Sequence, residues 1–278
     1  MRDAARRGLA VGFFDGVHLG HWAILRNAAS VLTFRNHPLS VLAPAKAPRL
    51  LMSADERLAA IRACGVDSVT ALDFDERLAG MSPEDFVARY MDVARRDGVV
   101  YCGGNWRFGR GGAGDAKFLS AHGIKVEVLP YAEYRGERIS STRIRAALEA
   151  GAIEDATAML GRPWSATGVA FKGKGAGAAL GFPTVNMRLD DVQLALRRGV
   201  YSVDVCGRRG IANYGVAPTF GDDAWNAPVL EVHFVEGLPP DFGADRPKVD
   251  FLRFLRPERT FASVEDLRSQ IATDIANL

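Results

Sequence analysis

A chain of 278 residues is long for a single hydrophobic core and comfortable for two. It is 48% hydrophobic and 24% charged, ordinary for a globular protein, and its net charge is only +2. That balance gives no general field for gathering nucleic acid or an anionic membrane surface, and no apolar stretch approaches a membrane span.

The first apolar run, Leu9 to Phe14, follows Arg6-Arg7 but is too short, ending at Asp15, to be a signal peptide. It breaks at Asp15-Gly16, and Trp22-Ala23-Ile24-Leu25 reads as the start of a helix. A strand, a tight glycine turn and a helix N-terminus aim free N–H groups and the helix dipole at one spot, which makes an anion site. His18 and His21, three residues apart, lie on one side of the first helical turn and both reach a phosphate there. No Gly-Lys-Ser/Thr follows, so this is not a Walker loop. Further apolar runs at 31–34, 67–72, 99–102 and 126–129 alternate with helical patterns. Ser53-Ala54-Asp55-Glu56 is a capping box that opens a helix to about Cys64. Ser82-Pro83-Glu84-Asp85 puts a cap and then proline at the head of a helix to about Arg96. The alternation predicts a parallel, doubly wound sheet whose ligand sits beyond the carboxyl ends of the strands, where His18 and His21 fall.

The spacing from Asp15 to Ser30 is tight. A helix from Leu19 to Ala29 leaves almost no return loop, so either the first helix is shortened or a mobile segment between Ala28 and Val31 is missing from the sequence, seen as a break there. The break is the expectation, because a trimmed helix leaves a sheet face poorly covered. Two loops share the same edge: Thr33-Phe34-Arg35-Asn36-His37-Pro38, and Gly103-Gly104-Asn105-Trp106-Arg107-Phe108-Gly109. Ile139-Ser140-Ser141-Thr142-Arg143-Ile144-Arg145 then opens a helix through Ala150, its hydroxyls, amides and arginines suited to a polyphosphate. A short helix, 153–160, ends at Leu160-Gly161-Arg162-Pro163, which marks the boundary between domains 1–161 and 162–278.

Beyond it, runs at 164–171, 200–205, 209–214, 229–235 and 248–255 are strand-like, and Ser263-Val264-Glu265-Asp266 caps a final helix. Short strands with glycine-rich turns predict a small closed barrel. Two places in this half carry chemistry. In Gly173-Lys174-Gly175-Ala176-Gly177-Ala178-Ala179-Leu180-Gly181-Phe182-Pro183-Thr184-Val185-Asn186, glycines let the backbone approach phosphate. Thr184 and Asn186 supply neutral oxygen ligands for a hard cation such as Mg²⁺. The second place is Arg256-Pro257-Glu258-Arg259-Thr260-Phe261, a glutamate between arginines after the last strand. Cys64, Cys102 and Cys206 are too few and too scattered for a disulfide framework or a metal cluster; each is expected as a small core residue in a reducing, cytoplasmic setting.

Phe14-Asp15-Gly16-Val17-His18-Leu19-Gly20-His21 resembles the H-x-G-H motif of nucleotidyltransferases, in the form found in the bacterial bifunctional riboflavin kinase/FAD synthetases. Ile139 to Arg145 is similar to that family's I-S-S-T-x-I-R, and Gly181 to Asn186 to its G-F-P-T-x-N. The resemblance implies a Rossmann-like α/β adenylyltransferase domain followed by an antiparallel β-barrel of riboflavin kinase type with a terminal helix. It implies ATP binding for adenylyl transfer by Gly12, Phe14, Asp15, Gly16, His18, His21, Ser141, Thr142 and Arg145, with Arg145 offsetting charge on leaving pyrophosphate. It implies flavin binding by His37, Asn105, Trp106 and Phe108, the two aromatic rings offering faces for the isoalloxazine. For the kinase it implies ATP on Gly173, Gly175, Gly177, Pro183, Thr184 and Asn186, Mg²⁺ on the last two, and Glu258 as general base. The chain departs from the usual pattern at Phe13 (Asn), Asn36 (Pro), Asn105-Trp106 (Asp-Phe), and Ala176 and Ala178 (Arg at both). Expected partners are ATP, riboflavin and FMN, with no nucleic acid, no membrane and at most a weak homo-oligomer. Two alternatives stay open from the sequence: a single-activity relative with one decayed site, and a non-catalytic flavin- or nucleotide-binding regulator.

Overall fold

The computed structural model describes residues 7–91, 98–171, 181–190, 194, 196–215, 228–237 and 246–278. The chain divides into two compact units, Met1–Ser141 and Thr142–Leu278.

In the first unit β1 (Leu9–Val11), β2 (Ser30–Phe34), β3 (Ser68–Leu72), β4 (Val99–Gly103) and β5 (Lys125–Leu129) form one parallel sheet in the order β3-β2-β1-β4-β5. Strand alternation sends Leu9, Val11, Leu32, Val100 and Cys102 to one face, where Phe86 and Leu119 pack on them. Ala10 and Val31 face the other way, against Ile24, Leu25 and Ile61. Helices thus cover both faces, as the doubly wound pattern requires. The helix α1 (Leu19–Leu25) is short, followed by α2 (Leu39–Leu42), α3 (Ala54–Ala63), α4 (Glu76–Ala79), α5 (Pro83–Tyr90) and α6 (Ala116–Ala121). Ser53 and Glu56 make the full capping box on α3. Ser82 caps α5, with Pro83 at its first position; the remainder of the expected helix, 92–97, lies outside the described residues.

α1 is short. Asn27 and Ala28 N–H groups close its last turn, and those of Ala29 and Ser30 both donate to Gly8 O, leading directly into β2. The sheet face the helix leaves bare is filled by Phe14 and Val17, 2% and 1% exposed, which the preceding loop folds inward.

A two-strand ribbon, β6 (Glu133–Tyr134) with β7 (Glu137–Arg138), leads to α7 (Ser141–Ala150) and α8 (Ile153–Leu160). Gly161 ends α8 in the left-handed conformation, φ 76°. In the second unit six strands close a barrel in the order β10-β11-β12-β9-β8-β13. They are β8 (Trp164–Phe171), β9 (Thr184–Leu189), β10 (Gly199–Val205), β11 (Arg208–Gly215), β12 (Val229–Phe234) and β13 (Lys248–Arg256). β9 was not expected as a strand. Cys206-Gly207 joins β10 to β11 with φ 55° and 81°, the left-handed pair of a tight hairpin. Cys206 is therefore exposed at a turn instead of buried in a core, whereas Cys64 and Cys102 are buried as expected.

The terminal helix α9 (Val264–Ala276) is tied to β13 by a nearly buried ion pair. Arg256 Nη2 lies 2.8 Å from Asp274 Oδ2, with side chains 11% and 5% exposed, and Gln270 Nε2 donates to Asp274 Oδ1 at 2.9 Å. Removing one partner of such a pair strands the other charge out of water. Asp274→Ala should cost the second unit about 3–5 kcal/mol in urea unfolding, far more than a surface charge deletion. A loss below about 1 kcal/mol would show the pair to be effectively solvated.

Candidate functional site

The strand order reverses between β1 and β4, and in such sheets this is where a crevice opens beyond the carboxyl ends. The loop leaving β1 turns sharply there. Phe14, Gly16 and Val17 have φ of 59°, 81° and 40°, and Val17 N–H donates to Phe14 O at 3.0 Å. This turn presents His18 as N-cap of α1, its Nδ1 accepting from His21 N–H at 3.3 Å. The two imidazoles stack, centroids 3.6 Å apart and planes 17° from parallel. His21 is half-buried, with its Nδ1 shut off from solvent. Desolvation first, then the neighbouring His18 and Arg138 charges, hold its pKa well below the ordinary 6.5, so it is neutral near neutral pH. Its Nδ1 has no hydrogen-bond partner among the described residues.

Asp15 and Ser141 are brought together: Ser141 Oγ donates to Asp15 O at 2.9 Å. The Asp15 carboxylate accepts from Leu51 N–H at 3.1 Å, which ties the turn to the chain entering α3. Phe14 differs from expectation. Its ring is buried in the core with an edge against His21, centroids 5.3 Å apart, so it seats the imidazole and leaves only backbone to a ligand. Gly12 N–H donates to Leu32 O. Thr142 and Arg145 begin α7 in the second unit.

On the flanking loops, His37 Nδ1 accepts from Leu39 N–H at 3.1 Å, and its ring meets Phe13 edge-on at 4.7 Å. Asn36 holds Phe74 in both directions, Nδ2 to its carbonyl at 2.9 Å and Oδ1 from its N–H at 2.8 Å. Trp106 stacks on Phe108 at 4.7 Å. Phe108 is further enclosed by Phe86 and Phe118 and is buried, whereas Trp106 is half-buried with Phe108 as its backing. Arg138 was missed. It donates to Asn105 Oδ1 at 3.3 Å and lies 3.5 Å over the Tyr131 ring. Its signal was a cation two residues before Ser140-Ser141-Thr142.

The second constellation lies on one wall of the barrel. Thr184 and Asn186 alternate onto the same face of β9, and Asn186 pairs with Glu231 on β12, which pairs with Asn213 on β11. The opposite face, with Met187, Leu230, Val232, Ala212 and Tyr214, fills the barrel. Glu258 joins the row from the side. Asn213 Nδ2 lies 3.5 Å from its Oε1, and any side chain at Gly215 would overlap its carboxylate. His233 Nδ1 is 3.0 Å from Pro183 O, and its ring meets Phe182 edge-on, which fixes the start of β9. Gly173, Gly175 and Gly177, with Ala176 and Ala178, lie outside the described residues. Glu231 was also missed, although it is the one acid in the strand Val229–Phe234. Its carboxyl keeps an exposed edge, yet the strands around it strip water and raise its pKa above the usual carboxylate range.

Comparison with known proteins follows the same division. Residues 2–143 match the family model described as FAD synthetase, and residues 160–278 the one described as riboflavin kinase. Proteins named bifunctional riboflavin kinase/FMN adenylyltransferase are similar along nearly the whole chain. The one from Escherichia coli K12 is 33% identical over 96% of this chain and 90% of its own. That from Bacillus subtilis is 30% identical over 98% and 91%, and that from Pseudomonas fluorescens 35% over 96% and 90%. Among solved structures, one described as a macrolide-efflux protein from Streptococcus pneumoniae superposes with a TM-score of 0.86 at 27% identity, covering 98% of this chain and 94% of that one.

His21 sets a pH dependence. Below pH 6.5 the unfolded chain protonates this imidazole and the folded chain does not, so stability is fully present above pH 6.5 and is lost as pH falls. Between pH 7.5 and 5.5 the wild type should lose about 1 kcal/mol more than His21→Gln in urea unfolding of the first unit. Parallel losses in the two proteins would place a free imidazole at His21.

Proposed function

The chain belongs to the bifunctional riboflavin kinase/FMN adenylyltransferase family, and from the two constellations above we propose how its residues divide the chemistry. The enzyme phosphorylates riboflavin to FMN with ATP, then transfers AMP from ATP to FMN, giving FAD and pyrophosphate. The observation that carries the division of labour is that each unit holds its own polar constellation, around His18 and His21 in one and around Asn186 in the other.

In adenylyl transfer the FMN phosphate attacks the α-phosphorus of ATP, and the bond to pyrophosphate breaks. His18 and the neutral His21 hydrogen-bond the phosphates, while the loop Gly12–Gly16 and Ser141 and Thr142 frame them. Arg138 and Arg145 offset the charge that grows on the leaving pyrophosphate. Trp106 stacks on the flavin, with His37 and Asn105 at its rim.

In riboflavin phosphorylation the terminal ribityl hydroxyl attacks the γ-phosphorus, the bond to ADP breaks, and a carboxylate takes the hydroxyl proton. Two candidates flank Asn213, and the proposal favours Glu231 over Glu258. Glu231 sits directly opposite Asn186, and Glu258 reaches the row only one strand further on. Thr184 and Asn186 are hard, neutral oxygen donors on one face and fit Mg²⁺, which when bound neutralises ATP phosphate charge. Pro183 sets the entry of that strand, and the glycines 173, 175 and 177 approach ATP phosphates by the family pattern. A cytoplasmic setting agrees with an ATP- and flavin-dependent enzyme in whose described residues no helix is long and apolar enough to cross a membrane.

Incubation with riboflavin, ATP and Mg²⁺, followed by chromatographic separation of flavins, tests the assignment. His21→Ala should lower FAD formation by roughly two to three decades while FMN formation persists. A parallel fall in FMN in a folded variant would overturn the two-site division.

Glu231→Gln should lower FMN formation by about two decades and leave conversion of supplied FMN to FAD intact. Glu258→Gln should be clearly milder. The reverse order would transfer the base to Glu258.

A further inference from the structure

Among the described residues Arg57 is the largest side chain buried without any exposure, and no step described so far uses it. It leaves α3 and ends where the loops after β1 and β2 meet. One nitrogen, Nη2, donates to Phe34 O at 2.7 Å and Arg35 O at 2.8 Å, which holds the carboxyl end of β2. The guanidinium carbon lies 4.0 Å from the centroid of the Phe13 ring, and the edge of that ring contact runs on to His37. Thr33 Oγ1 donates to Phe13 O at 3.3 Å, fastening the same residue from below.

A cation in this position is costly. Burial lowers its pKa, the Asp15 carboxylate only partly opposes that effect, and Nε and Nη1 have no hydrogen-bond partner among the described residues. Packing alone would be served at least as well by an apolar side chain of similar volume. What an apolar chain cannot do is clasp two strand-end carbonyls and at the same time lay a planar charge on an aromatic ring. The ring in question is Phe13, where the family pattern usually has asparagine.

We infer that Arg57 is a positioning residue for FMN adenylylation: by clasping the end of β2 and stacking on Phe13 it sets the His37 loop against the phosphate-binding turn. The inference rests on the adenylyltransferase reading above, with His37 on the flavin side and the turn on the nucleotide side. The effect falls mainly on FMN, because Arg57 reaches the His37 loop through Phe13, while the phosphate-binding turn meets it only through Phe13 and the Asp15 charge.

The test is steady-state FAD formation with FMN and ATP varied separately, in wild type, Arg57→Met, Arg57→Lys, Phe13→Leu and the Arg57→Met/Phe13→Leu pair. In Arg57→Met the KM for FMN should rise about tenfold, clearly more than the KM for ATP, with kcat within about threefold. Arg57→Lys, which keeps charge without the plane, should fall between. The double variant should be no worse than the poorer single one, since both break one stack. Riboflavin phosphorylation by the same samples serves as an internal control and should be unchanged. Should Arg57→Met fail to fold, the Lys and Phe13→Leu variants carry the same comparison. An unchanged KM for FMN in folded variants, additive effects in the pair, or equal losses for both substrates would overturn the positioning role. Absence of FAD synthesis by the wild type would overturn the adenylyltransferase reading itself, and the inference with it.

Discussion

The carboxyl edge of the parallel sheet depends on a backbone reversal between Phe14 and His18. Two non-glycine residues, Phe14 and Val17, take left-handed φ there, at a cost of roughly 1–3 kcal/mol each. Both side chains are buried by the same reversal, and burying a Phe or Val contributes about 1.5–3 kcal/mol. The two effects are of one size, so the turn holds because the strained residues are also core residues. A polar side chain at either place would leave the strain without compensation. The same reversal makes His18 a helix cap, stacks it on His21 and lets a seven-residue helix suffice where a longer one would ordinarily cover the sheet.

The barrel solves a different problem. Its wall must keep an apolar inner face and still gather polar groups outside, and period-two alternation across three hydrogen-bonded strands does both. Asn186, Glu231 and Asn213 come from distant parts of the chain yet stand side by side because register places them so. Around them, His233 braces Pro183, and the Arg256–Asp274 pair anchors the strand end from which Glu258 departs. Arg256 Nη1 also donates to the carbonyl of Pro257, the residue before that glutamate.

Much of this was legible in the sequence, for identifiable reasons. Ser53–Glu56 and Ser82–Pro83 announced their helices because capping is local chemistry, readable within four residues. The strand and helix alternation announced the sheet because buried parallel strands need apolar runs. What escaped was whatever depends on contacts across the chain. Thr184–Leu189 read as a ligand motif because its outward residues are polar, and only pairing with β8 and β12 makes it a strand. Phe108 and Trp106 looked equivalent in sequence, and the packing of Phe86 and Phe118 decides which of them is buried. Glu231 is an unremarkable acid on a strand until register sets it beside Asn186.

The hairpin at Cys206-Gly207 has a practical consequence. Cys64 and Cys102 are buried, and desolvation pushes the Cys102 thiol up to about 11, where it is almost entirely unreactive at neutral pH. Cys206 is exposed at the tip of the β10–β11 turn. A thiol-directed dye would therefore attach at one place on the native protein, on the barrel strand that leads to Asn213 and Gly215. Fluorescence from that natural handle would report events at the barrel wall without any engineered cysteine.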